Sequence, residues 1–108
     1  MRAEILKGHL DLLLLAAVQA RPAHGYAVIE ELRRRSDGAS DLPEGTVYPA
    51  LHRLERKGWI ASKWEKAKDR NREFKYYRLT ATGKKQLAAQ ESKWKQIAGA
   101  IARVMSPA

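Results

Sequence analysis

Glu44-Gly45-Thr46-Val47-Tyr48-Pro49-Ala50-Leu51-His52-Arg53-Leu54-Glu55-Arg56-Lys57-Gly58 is the stretch on which the fold turns. Val47, Ala50, Leu51 and Leu54 recur at helical spacing and define one apolar side. Gly58 stands where a C′ glycine ends a helix. Pro49 interrupts the pattern. It is tolerated if the helix starts near Gly45, because N–H groups in and around a first turn have no intrahelical acceptor. At about 100° per residue the opposite side carries Gly45, Pro49, His52 and Arg56, flanked by Thr46, Tyr48 and Arg53. That outer side has no large aliphatic residue. Gly45 would let an anion approach the helix N-terminus, where orphan N–H groups favour negative charge. Tyr48 can donate to a phosphate, and His52, Arg53 and Arg56 can donate to base edges or backbone.

Beyond Gly58 the period changes. Trp59-Ile60-Ala61-Ser62-Lys63-Trp64 and Phe74-Lys75-Tyr76-Tyr77-Arg78-Leu79 have the aromatic and β-branched content of strands, separated by the charged run Glu65–Glu73. They predict a β-hairpin. From Lys63 to Arg78 there are seven basic and three acidic residues, 7 − 3 = +4 over 16 positions. Beside a basic helix face, this charge points to phosphate contacts from Lys66, Lys68, Arg70, Arg72 and Lys75. Tyr76 and Tyr77 fall on opposite faces of their strand, one for the core and one for solvent, with Tyr76 assigned to the nucleic-acid side.

Upstream, residues 4–20 form a helix that is apolar on almost every side, with Leu6, Leu10 and Leu13 among its large residues. Pro22 and Gly25 break it. A second helix fits Tyr26–Arg35, with Tyr26, Ile29 and Leu32 on one face, and residues 36–41 make a polar loop. Downstream, Thr80 or Thr82 can cap a last helix running to about Met105. In it Leu87, Trp94 and Ile101 recur every seven residues, and Ile97 and Val104 fill intermediate positions. This is a short coiled-coil seam, weakened at its start by Gln90. The expected fold is mainly α with a small β-hairpin (α+β). It is a winged helix-turn-helix over residues 1–80, followed by a dimerisation helix over residues 81–108. The dimer surface is drawn from Leu6, Leu10, Leu13, Leu87, Trp94, Ile97, Ile101 and Val104.

Composition agrees with this reading. The chain has 108 residues, room for one core, and 21 Lys plus Arg against 12 Asp plus Glu give a formal charge of +9. An excess of this kind attracts polyanions. With no cysteine, disulfides and thiolate metal sites are excluded. The apolar run at 10–18 is too short to span a bilayer, and Asp11 interrupts it, so a cytoplasmic protein is expected, with no membrane partner. His9, His24 and His52 fall in separate elements, with no nucleophile or carboxylate at a spacing that suggests catalysis or metal binding. No phosphate-cradling glycine loop is present. An enzyme is not expected, nor a cofactor.

Three motifs carry a resemblance: His24-Gly25-Tyr26, Glu44-Gly45-Thr46-Val47-Tyr48-Pro49-Ala50-Leu51-His52-Arg53-Leu54-Glu55, and Lys75-Tyr76-Tyr77-Arg78-Leu79-Thr80. Together they resemble the PadR family of regulators over about Leu6 to Gly83, and the single C-terminal helix is similar to the family's short branch. The resemblance implies a homodimer that represses by binding an operator in double-stranded DNA and is released by a small effector. It further implies DNA contacts from Thr46, Tyr48 and Pro49. It also implies a planar aromatic effector sandwiched by interface tryptophans, for which Trp94 is the matching residue. A competing reading keeps the winged fold as a protein–protein adaptor whose basic face meets an acidic partner. Sequence-specific, salt-dependent binding of duplex DNA separates the two.

Overall fold

The computed structural model describes residues 9–66 and 72–107. Among these, the order is helix α1 (Leu10–Ala20), strand β1 (Ala23–His24), helix α2 (Gly25–Arg35), helix α3 (Glu44–Arg56), strands β2 (Ile60–Lys66) and β3 (Glu73–Leu79), and helix α4 (Ala81–Met105). The strands form an antiparallel sheet in the order β1-β3-β2, with Ile60 opposite Leu79, Lys66 opposite Glu73, and His24 opposite Tyr76. The fold is a winged helix, with β2 and β3 as the wing and α4 as a long arm.

The helix boundaries follow from local chemistry. The His24 imidazole caps α2 by accepting from the Ala27 N–H through Nδ1 at 3.2 Å. At the end of α3, Gly58 takes φ 79°, with its N–H donating to Glu55 O and that of Trp59 to Leu54 O. This is a Schellman closure on the expected glycine. Helix α3 begins at Glu44, one residue earlier than expected, so Pro49 is its sixth residue. The N–H that the Gly45 carbonyl would accept from position 49 is therefore missing. The Thr80 hydroxyl accepts from the Gly83 N–H and donates to the carbonyls of Gly58 and Trp59, fastening α4 to the end of α3. A Cβ on Gly83 would lie 1.9 Å from the Trp59 carbonyl oxygen, so only glycine allows this approach.

The core gathers Leu14, Leu15 and Val18 of α1, Val28, Ile29 and Leu32 of α2, Val47, Leu51 and Leu54 of α3, and Ile60 and Tyr77 of the sheet. Two expectations change here, for Leu87 and for the inward face of α2. Leu87 does not open a dimer seam: it is 3 % exposed and belongs to its own chain's core, because the first turns of α4 lie against α1. Leu10 and Leu13 are partly buried against that same core and keep part of their surface open. Tyr26 is exposed, and Val28 takes the inward place beside Ile29 and Leu32. Strand β1 was not expected at all. Leu6 lies outside the described residues.

Candidate nucleic-acid interface

Val47, Ala50, Leu51 and Leu54 are all buried, which fixes the rotation of α3. Gly45, Pro49, His52 and Arg56 are exposed on the opposite side, and Thr46 is half-buried at its edge. A Cβ on Gly45 would meet nothing within 4 Å. Packing inside the chain therefore places no demand on this glycine.

The two flanks of α3 are engaged. Tyr48 leans onto the start of α2, where a Cβ on Gly25 would fall 2.3 Å from its Cε1 atom. The bare Gly25 backbone is thus the seat of the Tyr48 ring, and burial there pushes the phenol's pKa above its ordinary value. Arg53, on the other flank, is turned toward α1, where its guanidinium is bound to the Asp11 carboxylate. This donor, expected to face DNA, is held within the chain. Arg53 also lines an open cleft of about 720 Å³ together with His9, Leu10, Asp11, Trp94 and Ile97.

The wing joins α3 through Glu55. The Ser62 hydroxyl donates to Glu55 Oε2, and Lys75 Nζ lies 3.2 Å from Oε1. The Ser62 hydrogen bond, helped by Lys75 and opposed by partial burial, holds the Glu55 carboxyl below its usual pKa. Lys75, expected as a phosphate contact, is therefore drawn to α3. Lys66 and Arg72 are exposed, and among the described residues no carboxylate lies within salt-bridge distance of either, or of Arg56. Arg72 sits over the Phe74 ring at 5.7 Å. Tyr76 is half-buried, edge-on to His24 at 5.6 Å, on the sheet face opposite Tyr77 and Ser62. Its face is the one turned away from α3. Lys68 and Arg70 lie outside the described residues.

On the arm, Trp94, Ile97, Ile101 and Val104 are 46, 50, 53 and 86 % exposed, an apolar stripe that its own chain leaves open. Asp11 and Glu55 are contributors that sequence reading missed. Each is one carboxylate in a charged chain, and only tertiary placement reveals its cation. Among the described residues no group of His, Asp and Glu could hold a metal ion, and no helix is long and apolar enough to cross a membrane.

The motifs, the wing and the α2–α3 unit all agree with known proteins. Residues 14–89 match the transcriptional regulator PadR-like family. An uncharacterized protein of Lysinibacillus sphaericus is 30 % identical over 97 residues, covering 90 % of this chain and 88 % of that one. A PadR family transcription regulator from Clostridium difficile R20291 superposes with a TM-score of 0.79 at 30 % identity, over 92 % of this chain and all of that one. A transcriptional regulator from Clostridium thermocellum shares the fold with a TM-score of 0.86 at 24 % identity, over 98 and 99 % of the two chains. With the family match spanning the core, α3 and the wing described above, the chain belongs to the PadR-like family and is a DNA-binding transcriptional regulator.

Proposed function

We propose that the protein is a cytoplasmic homodimeric repressor that places α3 in the major groove of a palindromic operator. The carrying observation is the outward side of α3, where Gly45, Pro49, His52 and Arg56 are exposed together beside the wing cations Lys66 and Arg72, neither of which has a carboxylate partner among the described residues. Thr46 and Tyr48 edge that side. A second copy pairs through the stripe Trp94, Ile97, Ile101 and Val104, so that two recognition helices face two half-sites. The domain division follows: residues 1–80 read DNA and residues 81–108 pair the subunits, although Leu87 ties the arm to the core.

The decisive test is selection of duplex fragments by the purified protein from a random pool. A recovered palindrome, bound with an affinity that falls steeply with salt, is the expected result. Equal affinity for every duplex would overturn the operator reading, and binding only to an acidic protein would replace it with the adaptor. Within the selected site, Arg56→Ala should lose affinity with the dimer intact, by about 1–3 kcal/mol if it reads a base.

The same reading includes release by a small planar aromatic effector. The support is the cleft of about 720 Å³ in which Trp94 of the arm and Arg53 of α3 are both wall residues. A ligand stacked on Trp94 would touch the helix that reads DNA. Such ligands should quench Trp94 fluorescence and weaken operator binding. Continued release from a Trp94→Ala protein would remove the site from the proposal.

A further inference from the structure

Trp64 stands near the middle of β2 and is 63 % exposed. Strand alternation puts it on the same face as Ile60, which is buried, and Ser62, which donates to Glu55 of α3. That face is therefore the one turned toward the recognition helix. Two residues beyond Ser62, about 7 Å along the strand, Trp64 lies on that same face and is largely open to solvent. Its cross-strand partner Lys75 is drawn to Glu55. Among the described residues no ring or cation stacks on the Trp64 indole, whereas Trp59 carries Lys57 at 4.5 Å and Phe74 carries Arg72. On the same face Lys66 lies one step farther out, while Lys63 and Glu65, on the other face, pair with each other at 3.3 Å.

A large apolar ring left open on the sheet face turned toward α3, with Lys66 beside it, matches a polyanion whose surface also has an apolar component. Duplex DNA has one: deoxyribose C–H edges lie between the phosphates, one of which Lys66, on the same face as Trp64, would neutralise. We propose that Trp64 packs on a deoxyribose of the operator backbone flanking the groove entered by α3, its indole N–H donating to the adjoining phosphate. The contact rests on the operator reading above and extends it, since it adds affinity that is neither ionic nor sequence-specific. It also relates the wing to α3, because Trp64 shares the face on which Ser62 is tied to Glu55.

Salt titration separates this contact from the ionic ones. The intact protein, Trp64→Phe, Trp64→Ala and Lys66→Ala would each be titrated against the selected duplex at several salt concentrations, with sedimentation recording the oligomeric state. Burying about half of an indole is expected to be worth about tenfold in affinity. Trp64→Ala should therefore bind about tenfold more weakly at every salt concentration with an unchanged slope, and Trp64→Phe should retain most of the affinity. Lys66→Ala should instead flatten the slope by about 0.9. Unchanged affinity in Trp64→Ala overturns the proposal, as does an altered oligomeric state, which would make the ring a contact between copies. If the intact protein binds no duplex at all, the operator reading itself fails, a result distinct from either of these.

Discussion

At the scale of single residues, two glycines divide function from folding. Gly45 has open space around its missing side chain and an ordinary backbone, so nothing inside the chain requires it. Gly45→Ala should leave thermal stability unchanged or raise it by up to about 1 kcal/mol, since alanine is the better helix former. If DNA approaches the start of α3 as closely as proposed, the same change should lower operator affinity. A variant that gains stability and keeps full affinity would remove Gly45 from the interface. Gly25 is the converse case. A methyl group there displaces the outer edge of the partly exposed Tyr48 ring, so Gly25→Ala should cost no more than about 1 kcal/mol, read as a slightly lower denaturation midpoint. Of these two, only Gly45 was legible in the sequence, because its role is read from a helical wheel. The seat of Tyr48 on Gly25 joins residues 23 positions apart, and no periodicity carries that information.

At the scale of elements, legibility followed pattern length. Helices α3 and α4 span 13 and 25 residues, enough turns for spacing and end signals to agree. Strand β1 has two residues, too few to show any alternation, and exists because β3 offers it an edge beside the α2 cap. The orientation of the wing was equally hidden, since it depends on the Glu55 tie. That tie has a pH signature. A carboxyl held below its ordinary pKa in the folded state stabilises the fold above the unfolded value, and the contribution disappears as pH falls through the folded value. Glu55 meets this condition through Ser62 and Lys75. Glu31 does so more strongly, lowered from 4.5 to about 2 by hydrogen bonds from Arg34 and Arg35. At neutral pH, Glu55→Gln should therefore lower stability by about 1 kcal/mol. The gap to the intact protein should close on acidification below the usual carboxylate range, as measured by melting temperature across a pH series. A gap independent of pH would mean that shape, rather than charge, holds the wing.

At the scale of the whole molecule, the shape itself poses the question of a partner. The described chain extends 61 Å along its long axis but only 28 and 21 Å across. A helix of 25 residues is about 37 Å long, and α4 spends only its first turns on the core. The rest carries Trp94, Ile97, Ile101 and Val104 at spacings of three and four, the rhythm of a helix seam. Each large apolar side chain moved from water into an interface gains about 1.5–3 kcal/mol, so four from each copy offer enough to offset the cost of association. The division between Leu87 and the residues beyond it makes the claim testable. Leu87 is buried at home, so Leu87→Ala should destabilise each subunit by about 2–5 kcal/mol. Ile101 is half exposed and lies outside the core, so Ile101→Glu should leave the subunit's secondary structure intact. Across a two-fold axis it sets two carboxylates in an apolar seam, and sedimentation should show monomers. Operator affinity should fall with it, and the salt slope should drop to about half, because each monomer neutralises only one half-site's phosphates. A dimeric Ile101→Glu protein would place the subunit contact elsewhere on the molecule and leave the exposed stripe of α4 for another partner.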